Sequence, residues 1–257
     1  MAAMSERWEH HSVRLDGGLA SIAVDMALRG LAPDATRPNL LCVAVAVAVP
    51  QGQEAPAADD ALSLERAGAD VTAALARELE AVPAGRINRG GRLELYAYAP
   101  RRPNVEDCLE SAVSRAMVAH GAYRYMVLAQ SDPLWSQYLK VLYPSVHGMQ
   151  QIRSRHLIAA LDALGDPRDG PRSVSHWIRC RRDDHRQVAA DRLSARGFTV
   201  VLIDPYMEAK LPFGLRVERV GMVTYDAVMA SVGEVLDAIE HLEAQYDGWE
   251  SPVVPEV

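Results

Sequence analysis

The side chains able to do chemistry in this sequence are few and scattered. His10 and His11 are adjacent in "WEHHSVRL". On a strand such neighbours point to opposite faces, so the pair cannot close on one metal ion. Cys42, Cys108 and Cys180 are odd in number and far apart, with no C-x-x-C or Cys/His metal spacing, so neither a disulfide framework nor a metal site is expected. His176 in "SVSHWIRC" alternates with Val174, Ile178 and Cys180. That places it on an apolar face, as a buried, hydrogen-bonded histidine, and no paired Ser, Cys or carboxylate motif accompanies it as a base would require. Asp183-Asp184 is accounted for as charge at a helix N-terminus. Arg86, Arg89 and Arg92 surround two glycines in "GRINRGGRLE", but no helix follows the glycines, so the stretch reads as a hairpin and not a phosphate loop. G-x-S-x-G, H-E-x-x-H and dinucleotide fingerprints are all missing. The expectation is a chain with no catalytic residue, no metal and no cofactor.

Two clusters suit adhesion better than catalysis. The face opposite His176 carries Ser173, Ser175, Trp177, Arg179 and Arg181, and a tryptophan beside arginines is interface chemistry. Near the C-terminus "YDGWE" offers two aromatic residues and two acids able to grip a basic or Arg-rich segment. The same pentad has a structural reading. Gly248 would supply the positive φ that ends a helix, and Trp249 would fold back over the helix end. The candidate partner-binding residues are Trp177, Tyr246, Asp247, Trp249 and Glu250.

The elements that must position them follow from periodicity. "LLCVAVAVAV" is apolar on both faces, as a central strand requires. Before it, "WEHHSVRL" and "LASIAVDMALRG" alternate around Asp16-Gly17-Gly18, a hairpin signal. After it, Leu64, Val71, Leu75 and Leu79 recur at helical spacing. Strands are expected near residues 84–88 and 93–99, joined at Gly90-Gly91, then a helix from Asn104 with a capping box to Asp107, then the strand "YRYMVLA". The order is β-α-β-β-α-β, the ferredoxin-like plait. A short helix in "DPLWSQYLKVLYPS" and a connecting helix in "VHGMQQIRSRHLIAALDALG" lead to "GDPRDGPRS", where the boundary is expected. Beyond it come a strand, a helix, two strands and a last helix over about residues 224–244, with "PVVPEV" as the candidate closing strand. The predicted architecture is α+β, tandem ferredoxin-like (βαββαβ) two-layer sandwiches, the first with an extra N-terminal β-hairpin. The domains are expected at residues 1–165 and 172–257.

Composition narrows the function class. The chain has 257 residues, 49% hydrophobic and 24% charged, with formal net charge -7. These are the proportions of a soluble globular protein, and the negative charge opposes nonspecific attraction to nucleic acid or anionic membrane. No basic-aromatic ribonucleoprotein motif is present, so direct RNA binding is not expected. The longest apolar run, Leu40 to Val49, is too short to span a bilayer. The sparse cysteines and an N-terminus without a signal-peptide pattern give a cytoplasmic expectation.

The stretches "PRSVSHWIRC", "ARGFTV", "LPFGLRVERVG" and "YDGWESPV" occur in an order that resembles the regulator of ribonuclease E activity B family. The preceding part resembles the domain of unknown function 695, through Trp8, "SIAVDMAL", "NRGGRLELYAY" and "DPLWSQYLKVLYPS" leading into "LDALGD". The first resemblance implies an acidic protein that binds a ribonuclease scaffold and modulates it without catalysis. One departure bears on docking. Relatives usually end the first strand of that domain with aromatic residues, where this chain has Arg179, Arg181 and Arg182. The expected function is a protein-binding regulator whose partner is a ribonuclease or another protein. The competing class is an enzyme with an acidic site between the domains.

Overall fold

Alternating apolar residues in "WEHHSVRL" and "GLASIAVD" become two antiparallel strands, β1 (Trp8–Leu15) and β2 (Gly18–Asp25). The chain continues through β3 (Asn39–Ala46), α1 (Ala58–Leu79), β4 (Val82–Arg89), β5 (Arg92–Ala99), α2 (Val105–Met117) and β6 (Arg124–Ser131). The computed structural model describes residues 7–15, 17–47, 58–121 and 123–254. Asp16 of the expected turn, the loop after β3 and the end of "PVVPEV" lie outside them. Sheet order is β1-β2-β4-β5-β3-β6, each neighbouring pair antiparallel. Strands β4-β5-β3-β6 with α1 and α2 form the ferredoxin-like plait, and the hairpin extends it beyond β4.

Residue pattern explains the packing. Leu41, Val43 and Val45 of β3 are fully buried and meet Leu64, Val71 and Leu75 of α1 and Leu109 and Val113 of α2. Gly68 lets α1 approach β5, since a Cβ there would lie 2.5 Å from Leu93 Cδ2. The other face of the sheet gains cover that periodicity did not foretell. Trp135 stacks on Tyr98 of β5 with centroids 4.0 Å apart, and a π-helical turn, Tyr138–Leu142, follows. The Tyr138 hydroxyl donates to the Asp25 carbonyl at 2.9 Å, and His11 Nε2 lies 2.9 Å from the Leu142 carbonyl. The expected capping box at Asn104 does not form. Asn104 has φ +50° and its side chain caps nothing, so the first turn of α2 is entered from a left-handed residue.

The second unit begins earlier than the Pro/Gly break suggested. The chain divides between Pro144 and Ser145. Helix α3 (Val146–Ala163) packs with the elements that follow, β7 (Arg172–Cys180), α4 (Asp183–Ser194), β8 (Thr199–Ile203), β9 (Phe213–Gly221), α5 (Tyr225–Ala238) and β10 (Ala244–Glu250). The buried side of α3 includes Gln150, Ser154 and Leu161, so polar residues disguise its packing stripe. The break itself is pinned. Asp166 accepts from Arg172, from the Arg168 amide at 2.9 Å and from the Val254 amide at 3.1 Å. Those bonds, Arg172 foremost, hold its carboxyl down to about 2.

Strand order is β10-β7-β9-β8, all antiparallel, so the C-terminal unit is a second complete plait. Its closing strand differs from the expected one. Helix α5 stops at Ala238, His241 turns the chain at φ +63°, and "AQYDGWE" returns along β7. The pentad read as a helix cap is therefore the edge strand itself, and "PVVPEV" follows it as coil through Val254.

Candidate functional site on the open face of the C-terminal sheet

The alternation of β7 sends Val174, His176, Ile178 and Cys180 toward the helices and Ser173, Ser175, Trp177 and Arg179 to the open face. His176 is fully buried. Its Nδ1 lies 2.7 Å from the Tyr246 hydroxyl and its Nε2 2.8 Å from Ser231 Oγ. Burial, helped by the charge of Arg219, pushes the imidazole down to about 4, so the ring is neutral and carries one proton between two partners. Ser231 was not singled out by the sequence, although it lies three residues after Val228 on the buried stripe of α5. This Tyr-His-Ser chain ties β10, β7 and α5 together.

Strand β10 carries a bulge. Tyr246 pairs with Ile178 and Gly248 with Trp177, leaving Asp247 as the extra residue. Tyr246 and Trp249 are three apart and would face opposite ways on a regular strand. The bulge turns both inward, to 3% and 7% exposure. Trp249 Nε1 donates to Ser154 Oγ of α3 at 2.9 Å. The expectation that Tyr246 and Trp249 offer aromatic surface to a partner is corrected by this burial, since both side chains are spent on the core. Gly248 is needed for its backbone, at φ +141°, and a Cβ on it would meet nothing within 4 Å.

The open face collects the other three candidates. Trp177 is half-buried, and Gly248 on the β10 side puts no side chain beside it. On the β9 side the Arg216 guanidinium carbon sits 5.7 Å from the ring centroid, within cation–π range. Arg216 pairs with Glu218 at 2.7 Å, while its Nε is buried without a hydrogen-bond partner. Asp247 is exposed and accepts from Arg179 Nε at 3.0 Å, and exposed Glu250 faces Ser175. Arg181 is engaged by Glu243 at 2.9 Å. An aromatic centre with a rim of arginines and carboxylates has the composition of protein interfaces.

The N-terminal unit has features of a different kind. A cavity of about 510 Å³ opens between α1 and the hairpin, with Ala69, Thr72 and Ala76 on one side and Trp8, His10 and Ala23 on the other. Arg86 at its edge is occupied by Glu65 at 2.5 Å. Asp132 is fully used as well. It accepts from the Tyr98 hydroxyl at 2.7 Å and from the Ser136 and Gln137 amides at 2.9 and 3.0 Å. Burial would raise its pKa, yet these donors hold it below the usual carboxylate range. Among the described residues, no three His, Cys, Asp or Glu side chains gather closely enough to hold a metal ion, and no helix is long and apolar enough to cross a membrane.

Comparison with known families divides the chain along the same lines. Residues 6–143, more than half the chain, match the family of unknown function DUF695. The chain belongs to that family. Residues 151–251 match the family described as Regulator of ribonuclease activity B. This second match begins inside α3 and ends just after β10, so it coincides with the plait that holds the Trp177 face. The DUF695 match instead covers the six-stranded sheet and the segment through Tyr143. No curated protein matches the chain. A solved structure described as a glycine cleavage system transcriptional repressor aligns with 83% of this chain and 98% of its own, at 10% identity and a TM-score of 0.21.

Proposed function

We propose that this protein is a regulator that binds a ribonuclease through the open sheet face of its C-terminal unit and acts by occupancy, without chemistry of its own. The observation that carries the reading is the placement of Trp177. It lies half-buried on the sheet face away from the helices, beside Gly248 on one side and Arg216 on the other, in the part of the chain that matches the ribonuclease-regulator family. Asp247, Glu250, Glu218 and Glu243 outnumber Arg179, Arg181 and Arg216 around it, which suits a basic or disordered segment of a nuclease scaffold better than RNA. Such a regulator would work in the cytoplasm, beside its nuclease.

The test is a binding titration of the purified protein against a ribonuclease E-type nuclease, with RNA cleavage measured in parallel. Trp177→Ala should weaken binding by roughly 30-fold, as loss of about 2 kcal/mol at an interface hot spot implies, and relieve inhibition to match. Unchanged affinity in a folded Trp177→Ala protein would remove the face from the interface. If the wild type alone retains single-stranded RNA and Trp177→Ala does not, the face reads RNA and the protein-partner proposal fails.

A further inference from the structure

The six-stranded sheet of the N-terminal unit ends at β6, whose outer edge has no strand against it among the described residues. Soluble proteins block such edges with charges, prolines or bulges. Strand β6, "RYMVLAQS", has one charge, Arg124, and no proline. Its register with β3 runs unbroken from Asn39 opposite Ser131 to Ala46 opposite Arg124. The opposite edge, β1, carries Glu9, His10, His11 and Arg14. On β6, Tyr125, Val127 and Ala129 pack against the core under the helices. Met126 and Leu128 point to the other face and are 69% and 49% exposed.

We propose that β6 pairs antiparallel with β6 of a second copy, across a twofold axis at Val127, joining two six-stranded sheets into one. The sequence is complementary to itself about that residue. Met126 falls opposite the partner's Leu128, Tyr125 opposite the partner's Ala129, and Arg124 opposite the partner's Gln130. No like charges meet, and four exposed apolar side chains become one contiguous group. A shift of one residue would set exposed side chains opposite core-facing ones, and a shift of two would set Leu128 opposite Arg124 or Met126 opposite Gln130, so only the register centred on Val127 unites all four apolar side chains. A second copy fits better than an unrelated strand because the edge supplies both halves of its own complement. This pairing belongs to the N-terminal unit and does not depend on the ribonuclease reading.

Sedimentation equilibrium of the full chain over a concentration series tests it. The wild type should form a dimer. M126E/L128E should be a monomer, because each glutamate then faces a glutamate. M126E/L128K should recover the dimer, because each glutamate then faces a lysine. Both positions are exposed, and circular dichroism confirms that each variant is folded. A wild-type monomer, a dimer indifferent to the two glutamates, or failure of the glutamate-lysine pair to restore association each overturns the proposal.

Discussion

His176 is neutral inside the C-terminal unit, and that gives the unit a pH signature. Its folded pKa, about 4, lies below the ordinary value near 6.5. Below pH 6.5 the unfolded chain binds a proton that the folded protein refuses. The stability contributed by the neutral ring is therefore complete above pH 6.5 and is lost as pH falls toward 4. At pH 5 the loss should be roughly 2 kcal/mol, and His176→Gln should flatten that part of a urea-denaturation series taken at several pH values. Trp249 makes a second residue-scale prediction. Trp249→Phe should cost about 1–2 kcal/mol, since Ser154 Oγ loses its donor, whereas Trp249→Ala should cost about 3–5 kcal/mol. Thermal or urea unfolding separates the two. The burial of His176 was legible in the sequence because its strand neighbours alternate. Its partners were not, because Ser231 and Tyr246 lie 55 and 70 residues away and only the fold joins them.

Strand β10 shows why an element can be misread although its residues are well seen. A Tyr-x-x-Trp spacing fits neither face of a regular strand, and a glycine after a helical pattern resembles a cap. The bulge at Asp247 resolves both facts at once, but a bulge leaves no periodic trace. It follows that Gly248→Ala should destabilise by about 1–3 kcal/mol through backbone strain alone, because φ +141° suits glycine and the space around it is empty. A fall in Tm with an unchanged far-ultraviolet spectrum would show this. The order of strands and helices was legible, since the apolar alternation of β3 and the helical spacing in α1 each match one period. Helix α3 was legible as a helix but not in its allegiance. Its packing contacts include Gln150 and Ser154, which hydrophobic patterning cannot weigh.

At the scale of the whole molecule, two plaits of the same topology carry two different family matches and two different kinds of free surface. The N-terminal sheet is covered on both faces along much of its width and leaves an edge open at β6. The C-terminal sheet leaves a face open around Trp177. Because α3 supplies Ser154 and Leu161 to the C-terminal core, a fragment starting at residue 145 should unfold cooperatively. One starting at residue 172 should be much less stable or fail to fold. The docking claim rests on the division of labour between two tryptophans, one half-buried on the sheet face away from the helices and one locked inside. The most direct measurement is the affinity of folded Trp177→Ala and Trp249→Phe proteins for the same ribonuclease, at a temperature well below both unfolding midpoints. The account predicts a loss of roughly 30-fold for Trp177→Ala and wild-type affinity for Trp249→Phe. The reverse pattern, with Trp249→Phe losing the nuclease and Trp177→Ala keeping it, would contradict it.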